Sequence, residues 1–193
     1  MDAQLLIDHA WGRETATISH IKAYKPASHS LTTGQVLHKG YDIPGAKLLV
    51  LEMAELLSLE LVEQRMAAST VELSLHYSFA LNRRPAHGSI RLDIPSNSTR
   101  TLLRCTERLY DRVAVFDAPV YRLNIGFGAL VPEEGLQYEL FSEPEAQEKE
   151  RRLQDTVIEI KRKYGKNGIF RAMNLLDGAK TLERNQQIGG HRA

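Results

Sequence analysis

Alternating hydrophobic and polar residues predict the β-strands of this chain. In residues 70–79 (TVELSLHYSF), 89–94 (SIRLDI) and 120–130 (VYRLNIGFGAL), apolar side chains occupy every second position. This period places them on one face of a half-buried strand. Residues 28–41, rich in Ser, Thr and other β-formers, predict an earlier strand with a bend at Gly34. The short connection between the second and third strands favours a hairpin.

Two segments have the 3.6-residue period of amphipathic helices. The first covers residues 44–68, with Asp42 as N-cap and Pro44 in the first turn. Three of its glutamates are expected on a wet face: Glu52, Glu55 and Glu63. The second helix follows the turn and cap residues 95–98. One apolar stripe runs along it: Leu102, Cys105, Leu109 and Val113.

The resulting order over residues 28–131 is strand, helix, strand, strand, helix, strand. This order is typical of an α+β fold, the split βαβ arrangement, in which a four-stranded antiparallel sheet has two helices on one face. In the last strand, Tyr121 is expected on the core side and Val120 on the outer side. The open face would carry Arg91 and Arg122 with polar residues of the first strand. Such a face can bind along a polyanion. An ordinary solvent-exposed sheet face has the same pattern of charged and polar residues.

Charge is segregated along the chain, although the net charge is only +1. Residues 73–131 hold eight bases, all arginine, against four acids, and residues 132–148 hold six glutamates and no base. Residues 161–193 hold eight bases against two acids. The exclusive use of arginine in residues 73–131 favours bidentate hydrogen bonding of the guanidinium groups to phosphate or carboxylate. A helix is expected around residues 153–164, and the last thirty or so residues are expected to form short helices or loops that order only against a partner.

Composition excludes several classes of protein. A length of 193 residues with 42% hydrophobic residues fits one domain plus a smaller part. No apolar run approaches the ~18 residues of a membrane span, and the N-terminus lacks the pattern of a signal peptide. These two features predict a cytoplasmic protein with no membrane partner. Cys105 is the only cysteine. Common phosphate-loop, zinc and acyl-transfer motifs are absent and the seven histidines are scattered, so catalysis within this chain is not expected.

Three passages resemble bacterial Y-family translesion DNA polymerases of the UmuC-like, ImpB/MucB/SamB, UV-damage-repair branch. Residues 164–193, above all the ending ERNQQIGGHRA, resemble their C-terminus. Residues 7–18 followed by 28–35 resemble the passage from thumb to little finger, and residues 122–130 (RLNIGFGAL) resemble the last little-finger strand. The resemblance implies four parts: 1–27, the end of the thumb and a linker; 28–131, a DNA-binding little finger; 132–142, a clamp-binding linker; and 143–193, a basic helical tail.

The resemblance also implies a function in DNA damage repair and the SOS response. In this family the palm and fingers domains hold the divalent metal and the incoming nucleotide. No part of the sequence resembles these two domains, which implies that this chain alone neither polymerises nor carries a cofactor. The family's little finger holds primer-template duplex DNA mainly through backbone phosphates. At matching positions the resemblance implies six DNA-binding residues: Ser30, Thr32, Thr33, Gln35, Arg91 and Arg122.

Residues 137–141 (QYELF) resemble the peptide by which bacterial polymerases dock on the sliding clamp, with Tyr138 where leucine is commoner. Four residues would bind the clamp: Gln137, Tyr138, Leu140 and Phe141. The alternative is that Leu140 and Phe141 pack a turn onto the domain. The basic tail would contact DNA or another protein of the mutagenic machinery. A competing hypothesis for the whole chain is a protein-interaction module without functional DNA binding.

Overall fold

The computed structural model describes residues 3–13, 17–23, 30–78, 84–114, 118–134, 144–188 and 191–192. Six helices occur in this part: α1 (Ala3–Ala10), α2 (Ile18–Ala23), α3 (Ile43–Glu63), α4 (Thr99–Val113), α5 (Pro144–Tyr164) and α6 (Thr181–Arg184). The strands there are β1 (Leu31–Tyr41), β2 (Met66–Tyr77), β3 (Ala86–Ser96), β4 (Val120–Gly128), β5 (Val131–Pro132), β6 (Gln187–Ile188) and β7 (His191–Arg192). A 3₁₀ helix covers Ala172–Leu175. The predicted linker 1–27 thus includes two short helices.

The main sheet has the strand order β1-β4-β2-β3, with all neighbours antiparallel. Helices α3 and α4 pack on one face of it: α3 lies behind β1, β4 and β2, and α4 lies behind β2 and β3. The predicted α+β fold, with its hairpin and its two helices on one face, is confirmed. The sequence pattern missed β5, a two-residue strand that pairs with the start of β2.

Helix α3 begins as predicted but ends early. The Asp42 side chain caps it, since Oδ1 accepts a hydrogen bond from the Gly45 amide at 2.9 Å. The predicted end at residue 68 is wrong, because the helix stops at Glu63 and Arg65 has a φ of 54°. Residues 66–69 then begin β2. Met and Ala favour helix in isolation, and pairing with the sheet outweighs that weak preference.

Two details of the strands differ from the sequence predictions. Gly34 pairs with Asn124 in regular register, so the predicted bend there is wrong; the irregularity lies between Val36 and Tyr41. In β4 the expected sides of Val120 and Tyr121 are reversed: Val120 is buried and Tyr121 is 39% exposed. His76 pairs with Arg122 and Tyr77 with Val120. Tyr121 is therefore an extra residue, and such a bulge reverses the alternation beyond it.

The core fills the space between the sheet and helices α3 and α4. Its largest fully buried side chains include Tyr110, Phe127, Leu49 and Met53. The Tyr110 hydroxyl donates to the carbonyl of Ile43 at 2.7 Å, and burial raises the pKa of Tyr110 above its usual range. The predicted stripe of α4 is buried except for Cys105, which is half-buried against the core.

The tail forms a third layer on α3. Ile158 of α5 packs with Leu59 and Val62 of α3 in a small second apolar cluster. The 3₁₀ helix and α6 also contact α3. The expectation that the tail orders only against a partner is therefore wrong, because the tail packs on a helix of its own chain. For the same reason, Glu52 and Glu55 are buried and not on a wet face.

Candidate nucleic-acid interface

The face of the sheet opposite α3 and α4 is open in the described part of the chain. Core side chains such as Val71, Leu73 and Leu75 point towards the helices, so the alternate positions of the same strands point outward. The strand register brings these outward positions together in one surface, which we call the open face. It comprises Thr32, Gly34, Val36, Thr70, Glu72, Ser74, His76, His87, Ser89, Arg91, Asp93, Arg122, Asn124, Gly126 and Gly128.

Arg91 lies on the edge strand β3 and Arg122 on the inner strand β4 of the open face, and both are exposed as predicted. Arg122 on β4 pairs with His76 of β2, whereas Arg91 on β3 pairs with Thr70 of β2. Six residues of β2 separate these two positions, which is about 20 Å along the strand. The two guanidiniums can therefore contact phosphates well separated along a duplex.

Hydroxyl, amide and imidazole groups lie between the two arginines. Ser74 Oγ lies 3.1 Å from His76 Nε2. Burial, with a smaller contribution from Arg122, lowers the pKa of His76 and so favours its neutral form. The two arginines carry the permanent positive charge of the open face. Glu72 and Asp93 are also exposed on it, and the formal charges of the face balance.

Close packing around glycines keeps part of the open face shallow. A Cβ at Gly34 would lie 2.1 Å from Oδ1 of Asn124, and a Cβ at Gly126 would lie 2.8 Å from Cγ2 of Thr32. The side chains of Asn124 and Thr32 therefore lie across the neighbouring glycines. A rigid, broad partner can approach such a surface closely.

The structure separates the predicted first-strand residues into two groups. Ser30 and Thr32 are exposed, and Thr32 belongs to the open face. Thr33 and Gln35 are on the opposite, helix-facing side of β1. Gln35 Oε1 accepts a hydrogen bond from Arg184 Nη1 at 3.2 Å, and Thr33 is half-buried on the same side of β1. Thr33 and Gln35 thus do not share a surface with Arg91 and Arg122.

The predicted clamp-binding residues Gln137, Tyr138, Leu140 and Phe141 lie outside the described residues. Within the described residues, no group of three His, Cys, Asp or Glu side chains could hold a metal ion. No helix in the same part of the chain has both the length and the apolar character to cross a membrane.

Sequence reasoning missed a buried polar cluster between α3 and the tail. The Glu52 carboxylate accepts hydrogen bonds from Asn174 Nδ2 at 2.8 Å and from the amides of Lys180 and Thr181 at 2.8 and 3.2 Å. Two of these donors are the first amides of α6, so Glu52 caps that helix. The detectable signal is that α3 is apolar on nearly every side, which indicates a helix buried on more than one face.

A second buried glutamate strengthens the attachment of the tail. Glu55 Oε1 accepts a hydrogen bond from Arg171 Nε at 2.8 Å. Burial raises the pKa of Glu55 and Arg171 opposes that shift. The back of α3 is thus closed by the tail, which leaves the sheet's open face on the other side of the molecule.

Comparison with known proteins identifies the class of domain. The model of the impB/mucB/samB family C-terminal domain matches residues 27–140, more than half of the chain. Its match covers the whole sheet domain with α3 and α4. The chain therefore belongs to the impB/mucB/samB family of Y-family DNA polymerases, and its sheet domain is the little finger.

One relative is named as a DNA polymerase. DNA polymerase IV 2 of Halalkalibacterium halodurans is 25% identical over 174 residues, which are 90% of this chain. The chain spans 40% of the length of that relative.

Two solved structures, among others, resemble part of the chain. One is a complex of the beta-clamp processivity factor and the little finger domain of PolIV, with a TM-score of 0.42 and 10% identity, over 59% of this chain and 100% of that one. The other is a post-insertion binary complex of Dbh DNA polymerase, with a TM-score of 0.43 and 10% identity, over 67% of this chain and 36% of that one. The family assignment rests on the sequence match to residues 27–140.

Proposed function

We propose that this chain is the DNA-binding and clamp-docking portion of an error-prone translesion DNA polymerase that acts in DNA damage repair and the SOS response. One observation supports DNA binding most: the little finger has an open sheet face with two exposed guanidiniums, about 20 Å apart along the strand direction. Polymerisation belongs to the palm of the whole protein, which uses a divalent metal. The chain acts in the cytoplasm on primer-template duplex DNA.

The duplex lies on the open face and is held by its backbone. Arg91 and Arg122 pair with phosphates of the duplex, and the hydroxyls of Thr32, Thr70 and Ser89 donate to phosphate oxygens between them. Ser30 contributes at the adjoining end of β1. Contacts of this kind position DNA and carry little base information, which suits an enzyme that must accept damaged templates.

Contact with phosphates makes the binding sensitive to salt. Each neutralised phosphate releases condensed counterions, and the logarithm of the affinity falls by about 0.9 per contact for each tenfold rise in salt. Since Glu72 and Asp93 balance the two arginines formally, the open face binds by local pairing and not by a strong overall field.

Substitution of the two arginines tests this proposal. We expect Arg91→Gln with Arg122→Gln to weaken binding of the 193-residue chain to a labelled primer-template duplex, and to reduce the salt slope by about two. The matched control is Arg152→Gln with Lys163→Gln, which removes two exposed charges from α5. Equal effects of the two variants contradict binding by the open face.

Clamp docking is proposed for residues 137–141. Leu140 and Phe141 enter an apolar cleft of the sliding clamp and Gln137 hydrogen-bonds at its rim, with Tyr138 beside it. The support is the sequence itself and its position just after the little finger. Leu140→Ala with Phe141→Ala should abolish binding to purified clamp while DNA binding persists. Unchanged clamp binding contradicts the proposal, as does a parallel loss of both activities.

A further inference from the structure

Four arginines on α4 recur at every fourth residue, and all four are exposed. We call this set the arginine ladder: Arg100, Arg104, Arg108 and Arg112. With a rise of 1.5 Å per residue, neighbours stand about 6 Å apart along the helix and the ladder extends about 18 Å. A row of this spacing winds slowly around the helix, inclined about 26° to its axis.

The acids of α4 do not neutralise the ladder. Glu107 and Asp111 turn towards α3, where each carboxylate lies 2.9 Å from Nζ of Lys47. Among the described residues, the ladder guanidiniums have no carboxylate within ion-pair distance. The ladder is therefore a concentrated positive surface that is not compensated within that part of the molecule.

The ladder runs beside the edge strand β3. Arg112 Nη2 donates to the backbone carbonyl of Ser89, which places this end of the ladder against that strand. At the other end, Glu150 of α5 accepts from the Arg100 amide at 2.9 Å and helps to cap α4. Arg104 and Arg108 lie between these fixed ends. The ladder is thus behind the open face and around the β3 edge.

The chemistry of the ladder favours the phosphate backbone of DNA over a protein. Arginine forks pair with phosphates in a planar, bidentate manner. Neighbouring guanidiniums about 6 Å apart can pair with neighbouring phosphates of one strand. Hot spots of protein interfaces combine arginine with buried aromatic anchors such as Trp and Tyr. The exposed large apolar side chains in the described part of the chain lie outside α4.

We propose that the arginine ladder is a second DNA surface, separate from the open face, which binds the phosphates of one strand of a duplex beside the β3 edge. DNA binding by the ladder does not depend on DNA binding by the open face. A duplex that rests on the sheet and continues around this edge would contact both surfaces, and a duplex held by the ladder alone would contact only α4.

The salt dependence of duplex binding tests the ladder. The ladder variant is Arg104→Gln with Arg108→Gln, since these two exposed residues have no carboxylate partner in the described structure and Gln maintains helix formation. The probe is a labelled duplex with the full 193-residue chain. We expect the salt slope to fall by about two, and by about four when the Arg91 and Arg122 substitutions are added. The control is Arg152→Gln with Lys163→Gln on α5.

The outcomes separate the two DNA surfaces. If the ladder variant lowers the slope more than the α5 control does, the ladder proposal stands, even if the open-face variant has no effect. If the ladder variant behaves like the control or like wild type, the proposal is overturned, and an acidic protein becomes the partner to seek. Circular dichroism and the melting temperature of each variant show whether the fold is intact, and an altered slope counts only with an unchanged fold. If the Gln variant unfolds, Arg104→Ala with Arg108→Ala replaces it, and the same fall in slope is expected because Ala also removes the charge and favours helix.

Discussion

The Glu52 carboxylate accepts a hydrogen bond from the backbone amide of Lys180 at 2.8 Å, although 128 residues separate them. Glu52 is fully buried, and its other oxygen, Oε1, accepts hydrogen bonds from Asn174 Nδ2 and from the Thr181 amide. An unpaired carboxylate in such a position would be very unfavourable. The tail therefore supplies the hydrogen-bond donors that this buried carboxylate needs, and Glu52 helps to fix the position of the tail.

Removal of this carboxylate should detach the tail. Glu52→Ala leaves the amides of Lys180 and Thr181 without their acceptor, at a cost of about 1–3 kcal/mol for each buried group that stays unpaired. We expect faster amide hydrogen exchange in residues 171–184 and little change in the strands of the sheet. Exchange measured by mass spectrometry distinguishes the two regions.

Glu63→Ala is the matched control for the tail prediction. Glu63 belongs to the same helix and pairs with Arg162 at 3.2 Å, but both side chains are exposed. A surface pair of this kind contributes at most about 1 kcal/mol. Equal exchange profiles for the Glu52 and Glu63 variants would show that the buried carboxylate does not hold the tail.

Stability should depend on the ionisation of Glu55. Burial raises the pKa of Glu55 above its usual 4.5, and pairing with Arg171 opposes the shift without cancelling it. The folded state thus binds the proton more tightly than the unfolded state does. The stabilisation from this group is complete below pH 4.5 and is lost as the pH rises through the raised pKa.

Glu55→Gln tests the direction of this effect. Gln keeps an acceptor for Arg171 and does not ionise, so the variant should gain stability relative to wild type as the pH increases above 4.5. Urea unfolding at a series of pH values measures the difference. A variant that loses stability relative to wild type over the same pH range would mean that the ion pair with Arg171 outweighs burial.

The sheet domain was predictable from sequence because its signals are local. Alternation located β2, β3 and β4, and the caps Asp42 and Ser98 located the starts of α3 and α4. The errors arose where tertiary contacts outweigh local preference: the end of α3, and the bulge at Tyr121. A single extra residue in a strand leaves no mark in a hydrophobic pattern.

The candidate site was only partly predictable. The outward positions of Arg91 and Arg122 follow from the alternation of their strands. Alternation also places Thr32 and Thr33 on different sides of β1, whereas the family resemblance implied that both bind DNA. The apolar character of α3 on nearly every side indicates a second buried face, but it does not identify the tail as the segment that covers Glu52 and Glu55. Only the packing of a segment more than 110 residues later makes them buried.

Glu72 should weaken DNA binding. Its carboxylate is exposed in the middle of the open face, where it would repel phosphates of a bound duplex. Glu72→Gln should therefore raise the affinity for duplex DNA severalfold at low salt, and less at high salt because screening increases. Glu159→Gln, which removes an exposed carboxylate from α5, is the control. Binding that is unchanged by Glu72→Gln would place the duplex elsewhere.

The arginine ladder should reduce the stability of α4. Like charges four residues apart disfavour a helix by about 0.2–0.5 kcal/mol per pair, and Arg104 has such a neighbour on each side. Arg104→Gln should therefore stabilise the chain by about 0.4–1 kcal/mol while it weakens duplex binding. Denaturant unfolding and DNA titration of the same sample measure both effects. A destabilised variant would mean that Arg104 has a structural contact.

Cross-linking from the open face tests the central claim most directly. In a Cys105→Ala background, a single cysteine at Thr32 or at Leu153 is coupled to a photoreactive group; Thr32 is on the open face, whereas Leu153 is 59% exposed on α5. Binding of duplex DNA to the sheet predicts covalent adducts from position 32 and few from position 153. Equal yields from the two positions, or adducts from position 153 alone, would contradict it.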